Sequence, residues 1–303
     1  MDPVTRSSTV PSRTGPEPAG DDVDAYLRRL GLEREPPTTD ALRRIHRAQV
    51  ETVPYETAWI HQGQRWSIDP REAMRRVAHD QRGGYCFHLN GALAELLSGL
   101  GYRVTRHVGG VHGPDGPDAA MLTNHLVLVV HDLPTAENPS GQWYVDAGLG
   151  DGLHEPLPLA AGTYRQGPFR FVLTQTDDGV GDWHLTHDPA GSFAGMSFRS
   201  APVGTDAFVE RHRWLSTSPE SGFVRVLTAQ RRWADGVDIL RGCVLTRRRG
   251  DELATETITA RDAWFEALAD VCGLPLRSPD PDRDILWASV LAGHERWLES
   301  RED

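Results

Sequence analysis

The sequence contains no lysine, so all 32 of its lysine-or-arginine positions are arginine. A pyridoxal-phosphate Schiff base and a Walker-type phosphate loop each need a lysine, and both are therefore excluded. The 13 histidines and 3 cysteines form neither a His-Glu-x-x-His nor a Cys-x-x-Cys motif, so no metal site is expected. A Gly-x-Ser-x-Gly nucleophile motif is also absent.

Long apolar runs are missing as well. No stretch of about 20 apolar residues could form a transmembrane helix, and the N-terminus lacks the apolar segment of a signal peptide. Three cysteines without a disulfide-type spacing favour a reducing compartment, so we expect a cytoplasmic protein. The formal net charge of -11 disfavours nucleic acid or an anionic membrane as the main partner.

The pattern of apolar and polar residues changes along the chain. Apolar residues at helical spacing come first, then short runs of β-branched and aromatic residues, then a mixture of both. This order predicts an α+β fold rather than an alternating α/β sheet. The predicted parts are a disordered tail (1–21), a helical domain (22–103), a β domain (104–206), a connecting helix and linker (207–222) and an α/β domain (223–303).

Several elements can be placed within these parts. Helices are expected from Thr39, from Asp69-Pro70 and after Cys86, where Leu89 opens an apolar stripe. In the last part we expect a hairpin of two strands and two closing helices. The predicted strands cover 223–230 and 238–246, and the predicted helices cover about 260–272 and 282–299.

Cys86 is the candidate nucleophile. It follows Arg82-Gly-Gly-Tyr and precedes an amphipathic helix, so it lies at or near a helix N-terminus. Unpaired backbone N–H groups and the positive end of the helix dipole favour a thiolate there. The two glycines allow a sharp turn and a close approach of a substrate carbonyl to peptide N–H groups.

His125 and Asp146 are the candidate base and its orienting carboxylate. His125 opens one predicted strand and Asp146 closes another. If these strands pair as a hairpin, the start of one lies near the end of the other, at the rim of the sheet. The carboxylate would then orient the imidazole, and the imidazolium would hold the thiolate of Cys86.

Five ordered motifs between about residues 24 and 275 resemble the arylamine N-acetyltransferase family. Arg82-Gly-Gly-Tyr-Cys-Phe-His-Leu-Asn90 resembles its Arg-Gly-Gly-x-Cys signature, and Val145-Asp-Ala-Gly-Leu-Gly150 resembles its Val-Asp-Val-Gly-Phe-Gly. Asn124-His125-Leu-Val-Leu-Val resembles its histidine strand, and Pro54-Tyr-Glu-Thr57 its Pro-Phe-Glu-Asn. The segment from Ser221 to Arg232 resembles part of its third domain.

The resemblance implies a helical domain, a central antiparallel β-barrel and a C-terminal α/β lid around a cysteine-protease-like Cys-His-Asp core. It implies ping-pong transfer of an acyl group from acyl-CoA, as co-substrate rather than bound cofactor, through Cys86 to an amine. It further implies a structural ion pair of Glu56 with Arg82. Substrate contacts are implied for Tyr55, Tyr85, Phe87, His88 and Leu149, and contacts with the coenzyme for Gly148 and Gly150.

Some positions depart from the family pattern close to the predicted site. His88 replaces the usual Glu or Gln, Tyr55 and Leu149 each replace a Phe, and Thr57 replaces an Asn. These changes leave the acyl donor and the amine acceptor open. An acyl carrier protein could supply the acyl group instead of coenzyme A, in an amide synthase of specialised metabolism. A Cys-His-Asp amide hydrolase or transglutaminase-like enzyme and a non-catalytic binding module are further alternatives.

Overall fold

Helices make up most of the first part of the chain and its end. The computed structural model describes residues 20–177, 179–277 and 279–299. Its α-helices are α1 (Gly20–Leu30), α2 (Thr39–Thr52), α3 (Ala58–His61), α4 (Pro70–His79), α5 (Cys86–Gly99), α6 (Val209–Thr217), α7 (Gly222–Arg225), α8 (Arg261–Glu266) and α9 (Asp280–Glu299). Of the predicted tail, residues 1–19 lie outside the described residues, while Gly20 and Asp21 begin α1, so the tail was predicted two residues too long.

The predicted helix starts are confirmed together with their capping. The Thr38 side chain accepts a hydrogen bond from the backbone of Ala41 at the start of α2. The Asp69 carboxylate accepts from two backbone N–H groups of α4, and Pro70 occupies its first turn. Both arrangements satisfy donors that have no partner within a helix. The stripe predicted after Cys86 belongs to α5, which is buried on nearly all sides.

The strands form two antiparallel sheets. They are β1 (Tyr55–Glu56), β2 (Arg103–His112), β3 (His125–His131), β4 (Trp143–Val145), β5 (Leu157–Pro158), β6 (Gly162–Gln166), β7 (Phe169–Gln175), β8 (Trp183–Thr186), β9 (Gly195–Pro202), β10 (Thr228–Trp233), β11 (Gly236–Arg241), β12 (Val244–Arg249) and β13 (Glu252–Thr257). The larger sheet has the order β5-β4-β3-β2-β9-β8-β7-β6 and curls into a nearly closed barrel. The smaller has the order β1-β10-β11-β12-β13. The α+β class and the barrel predicted from the sequence are thereby confirmed.

Two details of the predicted hairpin are wrong. Residues 222–225 form the short helix α7, because the Ser221 side chain caps the Phe223 backbone N–H and turns the chain. The second predicted strand is divided at Gly242, which has a φ of +57° and starts a new strand pair. Cys243 therefore lies in this turn rather than in a strand.

The three parts meet around α5. A hydrophobic core joins the helices to β3 and β4, and separate cores fill the barrel and the last part of the chain. The predicted helical domain also contributes β1 to the smaller sheet, where Tyr55 pairs with Gln230. The first and last parts of the chain therefore share a sheet. None of the helices in the described ranges is long and apolar enough to cross a membrane.

Candidate active site

Cys86 is the first residue of α5. Tyr85 precedes it in an extended conformation, and Gly84 has a φ of +130°, a value that glycine adopts readily. The thiol is 4% exposed and its Sγ lies 3.7 Å from the backbone oxygen of Asn124. The cysteine thus stands where the sequence placed it, at a helix N-terminus next to the strand that begins with His125.

His125 and Asp146 are hydrogen-bonded to each other. Strands β3 and β4 pair antiparallel, with Leu128 opposite Val145, so the start of β3 lies beside the residues that follow β4. The Nε2 atom of His125 is 2.7 Å from Oδ2 of Asp146, and both side chains are almost fully buried. Nδ1 of the imidazole takes no part in this contact, and Cys86 lies close enough for its charge to act on the ring.

The carboxylate of Asp146 accepts four hydrogen bonds. Besides His125, the Tyr144 hydroxyl donates to Oδ2 at 2.9 Å. Asn90 Nδ2 and the backbone N–H of Gly148 donate to Oδ1 at 2.8 and 3.0 Å. Asn90 belongs to the quoted signature, but Tyr144 was missed. Its position two residues before Asp146 on a strand, hence on the same face, was the available signal.

These contacts set the charges of the pair. Burial works against a charge on His125, but the Asp146 carboxylate and the Cys86 thiolate outweigh it and raise the pKa of His125 to about 10. Burial also works against the charge on Asp146, yet His125, Asn90 and the Gly148 N–H hold the pKa of this carboxyl below its usual value. The geometry therefore favours an imidazolium–carboxylate pair at neutral pH, which is the partner that a thiolate requires.

The turn after Asp146 packs directly on Cys86. A Cβ atom on Gly148 would lie 2.7 Å from Cα of Cys86 and 3.0 Å from Nδ2 of Asn90. A Cβ on Gly150, whose φ is +67°, would meet the Gln230 side chain at 2.2 Å. Gly148 is therefore required by the close approach of the Cys86 backbone, and Gly150 by its positive φ, whatever they contact in a substrate complex.

A cavity of about 280 Å³ opens beside the thiol. Tyr55 and Leu149, both predicted substrate contacts, lie in its wall, and Gly148 does too. Burial and the Cys86 charge raise the pKa of Tyr55 well above its usual value, so its hydroxyl stays neutral. The residues of the wall are Tyr55, Cys86, Val111, Asn124, His125, Gly148, Leu149, Ser192, Phe193, Leu215, Phe223 and Gln230.

Three other predicted substrate contacts do not line this cavity. Tyr85, Phe87 and His88 are at most 1% exposed. Phe87 packs against Phe208, and the Tyr85 hydroxyl contacts Nδ1 of His212. These three side chains pack in the core next to the start of α5 and support it there, because a helix this deeply buried turns most of its side chains into the core.

His88 lies within a group of aromatic rings behind the thiol. Its ring contacts Trp59, Trp66, Tyr85 and His212 edge-on. Burial, with the nearby charges of Arg76 and His212, lowers the pKa of His88 well below its usual value. The ring is therefore neutral, and its bulk shapes the site indirectly.

The ion pair of Glu56 with Arg82 is present. Arg82 Nε and Nη2 lie 2.9 and 3.1 Å from the two carboxylate oxygens of Glu56, which is fully buried. The Arg82 guanidinium also stacks over Trp66, 4.8 Å from the ring centre. Because the Glu56 N–H donates to the Gly84 carbonyl, this pair braces the glycine turn that leads to Cys86.

A second cavity of about 530 Å³ lies between α9, α7 and strands β11 and β12. It shares Ser192 with the cavity beside Cys86, and Arg225, Arg241 and Arg296 line it. Arg232 lines neither cavity; it is buried and donates hydrogen bonds to backbone oxygens. Among the described residues, no group of three His, Cys, Asp or Glu side chains could hold a metal ion.

Comparisons with known proteins show the family of this chain. A family model described as N-acetyltransferase matches residues 38–280. Arylamine N-acetyltransferase 1 of Homo sapiens is 28% identical over 251 residues, which cover 75% of this chain and 83% of the relative.

Solved structures show the same architecture. The arylamine N-acetyltransferase of Nocardia farcinica is 28% identical with a TM-score of 0.78, over 91% of this chain and 98% of that one. The Mycobacterium marinum arylamine N-acetyltransferase in complex with CoA is 26% identical with a TM-score of 0.77, over 88% of this chain and 98% of that one. With a family model covering most of the chain, the protein belongs to the arylamine N-acetyltransferase family.

Proposed function

We propose that this protein is an acyltransferase that moves an acyl group from acyl-CoA to an aromatic or similar amine through a thioester on Cys86. The observation that carries the proposal is the juxtaposition of a helix-start thiol with the His125–Asp146 pair at the wall of an open cavity. Family membership supports the reaction class.

In the first half-reaction the Cys86 thiolate attacks the thioester carbonyl of the donor. The new bond joins Sγ to the acyl carbon, and the bond to the coenzyme sulfur breaks as the tetrahedral intermediate collapses. The His125 imidazolium donates its Nδ1 proton to the departing thiolate. Asp146 keeps its charge and holds the ring through Nε2.

In the second half-reaction the amine attacks the acyl-enzyme. His125, now neutral, takes a proton from the amine nitrogen through Nδ1, and the amide leaves as the bond to Sγ breaks. The Cys86 thiolate and the His125 imidazolium are thereby regenerated. The coenzyme leaves before the amine reacts with the acyl-enzyme, which is a ping-pong sequence.

The two cavities suggest how the substrates are arranged. We assign the acyl group and the amine to the cavity with Tyr55, Leu149 and the Gly148 backbone. The larger cavity meets it at Ser192, and the guanidinium groups of Arg225, Arg241 and Arg296 could bind coenzyme phosphates. Gly150 follows Leu149 of the smaller cavity's wall, and a Cβ at this position would meet the Gln230 side chain of the same wall.

The test is the intact mass of the protein after incubation with acetyl-, propionyl- and longer acyl-CoA. One acyl adduct is expected in the wild type and none in Cys86→Ala. The other two thiols are matched internal controls, because burial raises the pKa of Cys243 to about 11 and that of Cys272 to about 12. Failure of the wild type to form an adduct with any donor, or an adduct that persists in Cys86→Ala, would contradict the proposal.

An acyl carrier protein is an alternative donor. It is supported by the departures from the family motifs at Tyr55, Thr57 and Leu149. Tyr55 and Leu149 line the cavity, and Thr57 directly follows strand β1, which contains Tyr55. The discriminating measurement is the rate of acylation of Cys86 by the same acyl group on coenzyme A and on a carrier protein. A faster reaction with the coenzyme would remove this alternative. We also propose a cytoplasmic location, which three unpaired cysteine thiols support.

A further inference from the structure

The loop between β8 and β9 forms one side of the Cys86 cavity. Ser192 and Phe193 of this loop line the cavity, and Ser192 also lines the larger one. Ser192 is exposed at the mouth, while Phe193 is half-buried. A segment in this position decides how large a group fits beside the thiol.

A single buried carboxylate holds the loop in place. Asp151 is 1% exposed and lies five residues beyond Asp146, at the end of the turn that packs on Cys86. Its Oδ2 accepts the backbone N–H of Ser192 at 2.6 Å, and its Oδ1 accepts the Ser192 hydroxyl at 2.7 Å. The same turn therefore carries Asp146, which orients the catalytic imidazole, and Asp151, which holds the cavity wall.

Neighbouring groups fix Asp151 itself. Nδ1 of His187 accepts the Asp188 N–H at 2.6 Å, so Nε2 carries a proton and donates it to the Asp151 carbonyl at 3.2 Å. The His187 ring also packs against Phe193, with the ring centres 4.4 Å apart.

From the other side, Nε of the buried Arg232 donates to the Gly152 carbonyl at 3.0 Å. The Arg232 charge lies close enough to interact with Asp151. These neighbours fix the position of Asp151, and its carboxylate in turn holds the loop through Ser192.

We propose that Asp151 is a positioning residue that sets the size of the acyl or amine group admitted beside Cys86, by fixing Ser192 and Phe193 as the outer wall of the cavity. That the admitted group is an acyl group or an amine rests on the proposed function, whereas the position of the wall does not depend on it. With the wall fixed, the cavity of about 280 Å³ suits short acyl groups and small aromatic amines. With the wall released, longer or wider groups gain entry.

The experiment compares alkylation of Cys86 by a small reagent, iodoacetamide, and a bulky one, pyrene maleimide, in the wild type and in Asp151→Asn. The asparagine amide would face the Ser192 donors, so the loop should open more often. The ratio of the bulky to the small rate should rise by about five- to tenfold, the change expected from losing one ordinary hydrogen bond. Ser192→Ala keeps the backbone bond to Oδ2 and should raise the ratio by a smaller factor.

The matched control is Asp182→Asn. Asp182 also accepts a serine backbone N–H, from Ser200 at 2.6 Å on the same barrel, but Ser200, unlike Ser192, lines neither cavity. Its substitution should leave the alkylation ratio unchanged. A purely structural role of Asp151 would lower the melting temperature and leave the ratio as in the wild type, and that result would overturn the proposal.

Acylation provides the second readout. In Asp151→Asn, the kcat/KM for a hexanoyl donor relative to an acetyl donor should rise, mainly through KM. If the wild type forms no acyl adduct while the alkylation ratio still rises in Asp151→Asn, the proposed function fails and the positioning role stands. If Asp151→Asn does not fold, Ser192→Ala becomes the test. An unchanged ratio of bulky to small alkylation rates in that variant would overturn the positioning role of Asp151.

Discussion

Asn90, one turn into the helix that begins with Cys86, donates a hydrogen bond of 2.8 Å to the carboxylate of Asp146. The same amide group donates to the Leu126 carbonyl and accepts the Ala147 N–H at 2.9 Å. A single buried side chain thus connects the nucleophile's helix to the strands that bear His125 and Asp146. This link fixes the position of Cys86 relative to His125 and Asp146.

Replacing Asn90 with alanine should cost about 3 kcal/mol of unfolding free energy, because two buried backbone groups and one carboxylate oxygen lose a partner. Acylation of Cys86 should also slow by at least about tenfold, since His125 and Cys86 are no longer held in one geometry. Urea unfolding and the acylation rate measure the two effects. Asn138→Ala is the control: its buried amide binds Gln142 in a loop remote from the site, so stability should fall without loss of chemistry.

The raised pKa of His125 predicts an alkaline limit of activity. The imidazolium should lose its proton only as the pH rises through about 10, so acylation of the wild type should decline there. In Asp146→Asn the main charge that raises this pKa is gone and burial lowers it, so the limit should move down by more than about one pH unit. The pH dependence of kcat/KM measures the shift, and near-normal turnover in Asp146→Asn would contradict the assigned role.

The same pKa predicts a change in stability with pH. Because the folded-state pKa lies above the ordinary value of 6.5, the stability it contributes is complete below about pH 6.5 and is lost as the pH rises to about 10. The unfolding free energy of the wild type should therefore fall across this window relative to Asp146→Asn. Tyr144→Phe keeps the carboxylate and serves as the control, so it should retain the wild-type slope.

Substitution of Gly148 with alanine should abolish most activity. The added Cβ would lie 2.7 Å from Cα of Cys86, so either the turn or the start of α5 must shift. Such overpacking costs about 1–3 kcal/mol, and the thiol would move relative to His125. Gly113→Ala is the matched control, since a Cβ there meets no atom within 4 Å. Equal acylation rates in the two variants would disprove the predicted clash.

Removal of the Arg82 charge should be strongly destabilising. Arg82→Met leaves the fully buried Glu56 carboxylate without its partner, a change that costs about 3–5 kcal/mol. Arg34→Met removes a comparable contact with Asp24, but there both side chains are about half exposed, so the loss should stay within about 1 kcal/mol. Chemical unfolding of the two variants gives the comparison, and similar losses in both would refute the special role of burial.

The sequence by itself determined the local features of this protein. The turn of Gly83 and Gly84 before a leucine-rich helix placed Cys86 at a helix N-terminus, and Asp69-Pro70 marked the start of α4. Such features depend on a few neighbouring residues and on the periodicity of apolar side chains, so they can be recognised without knowledge of the fold. The α+β class followed from the same periodicities.

Only the tertiary structure decided which residues meet. The register of β3 and β4 brings His125 to Asp146, and Asp151 meets Ser192 across 41 positions of sequence. His88 is turned into the core although it lies two residues from the nucleophile. Local periodicity does not specify contacts between distant segments, because they depend on strand register, on helix orientation and on which face each element buries.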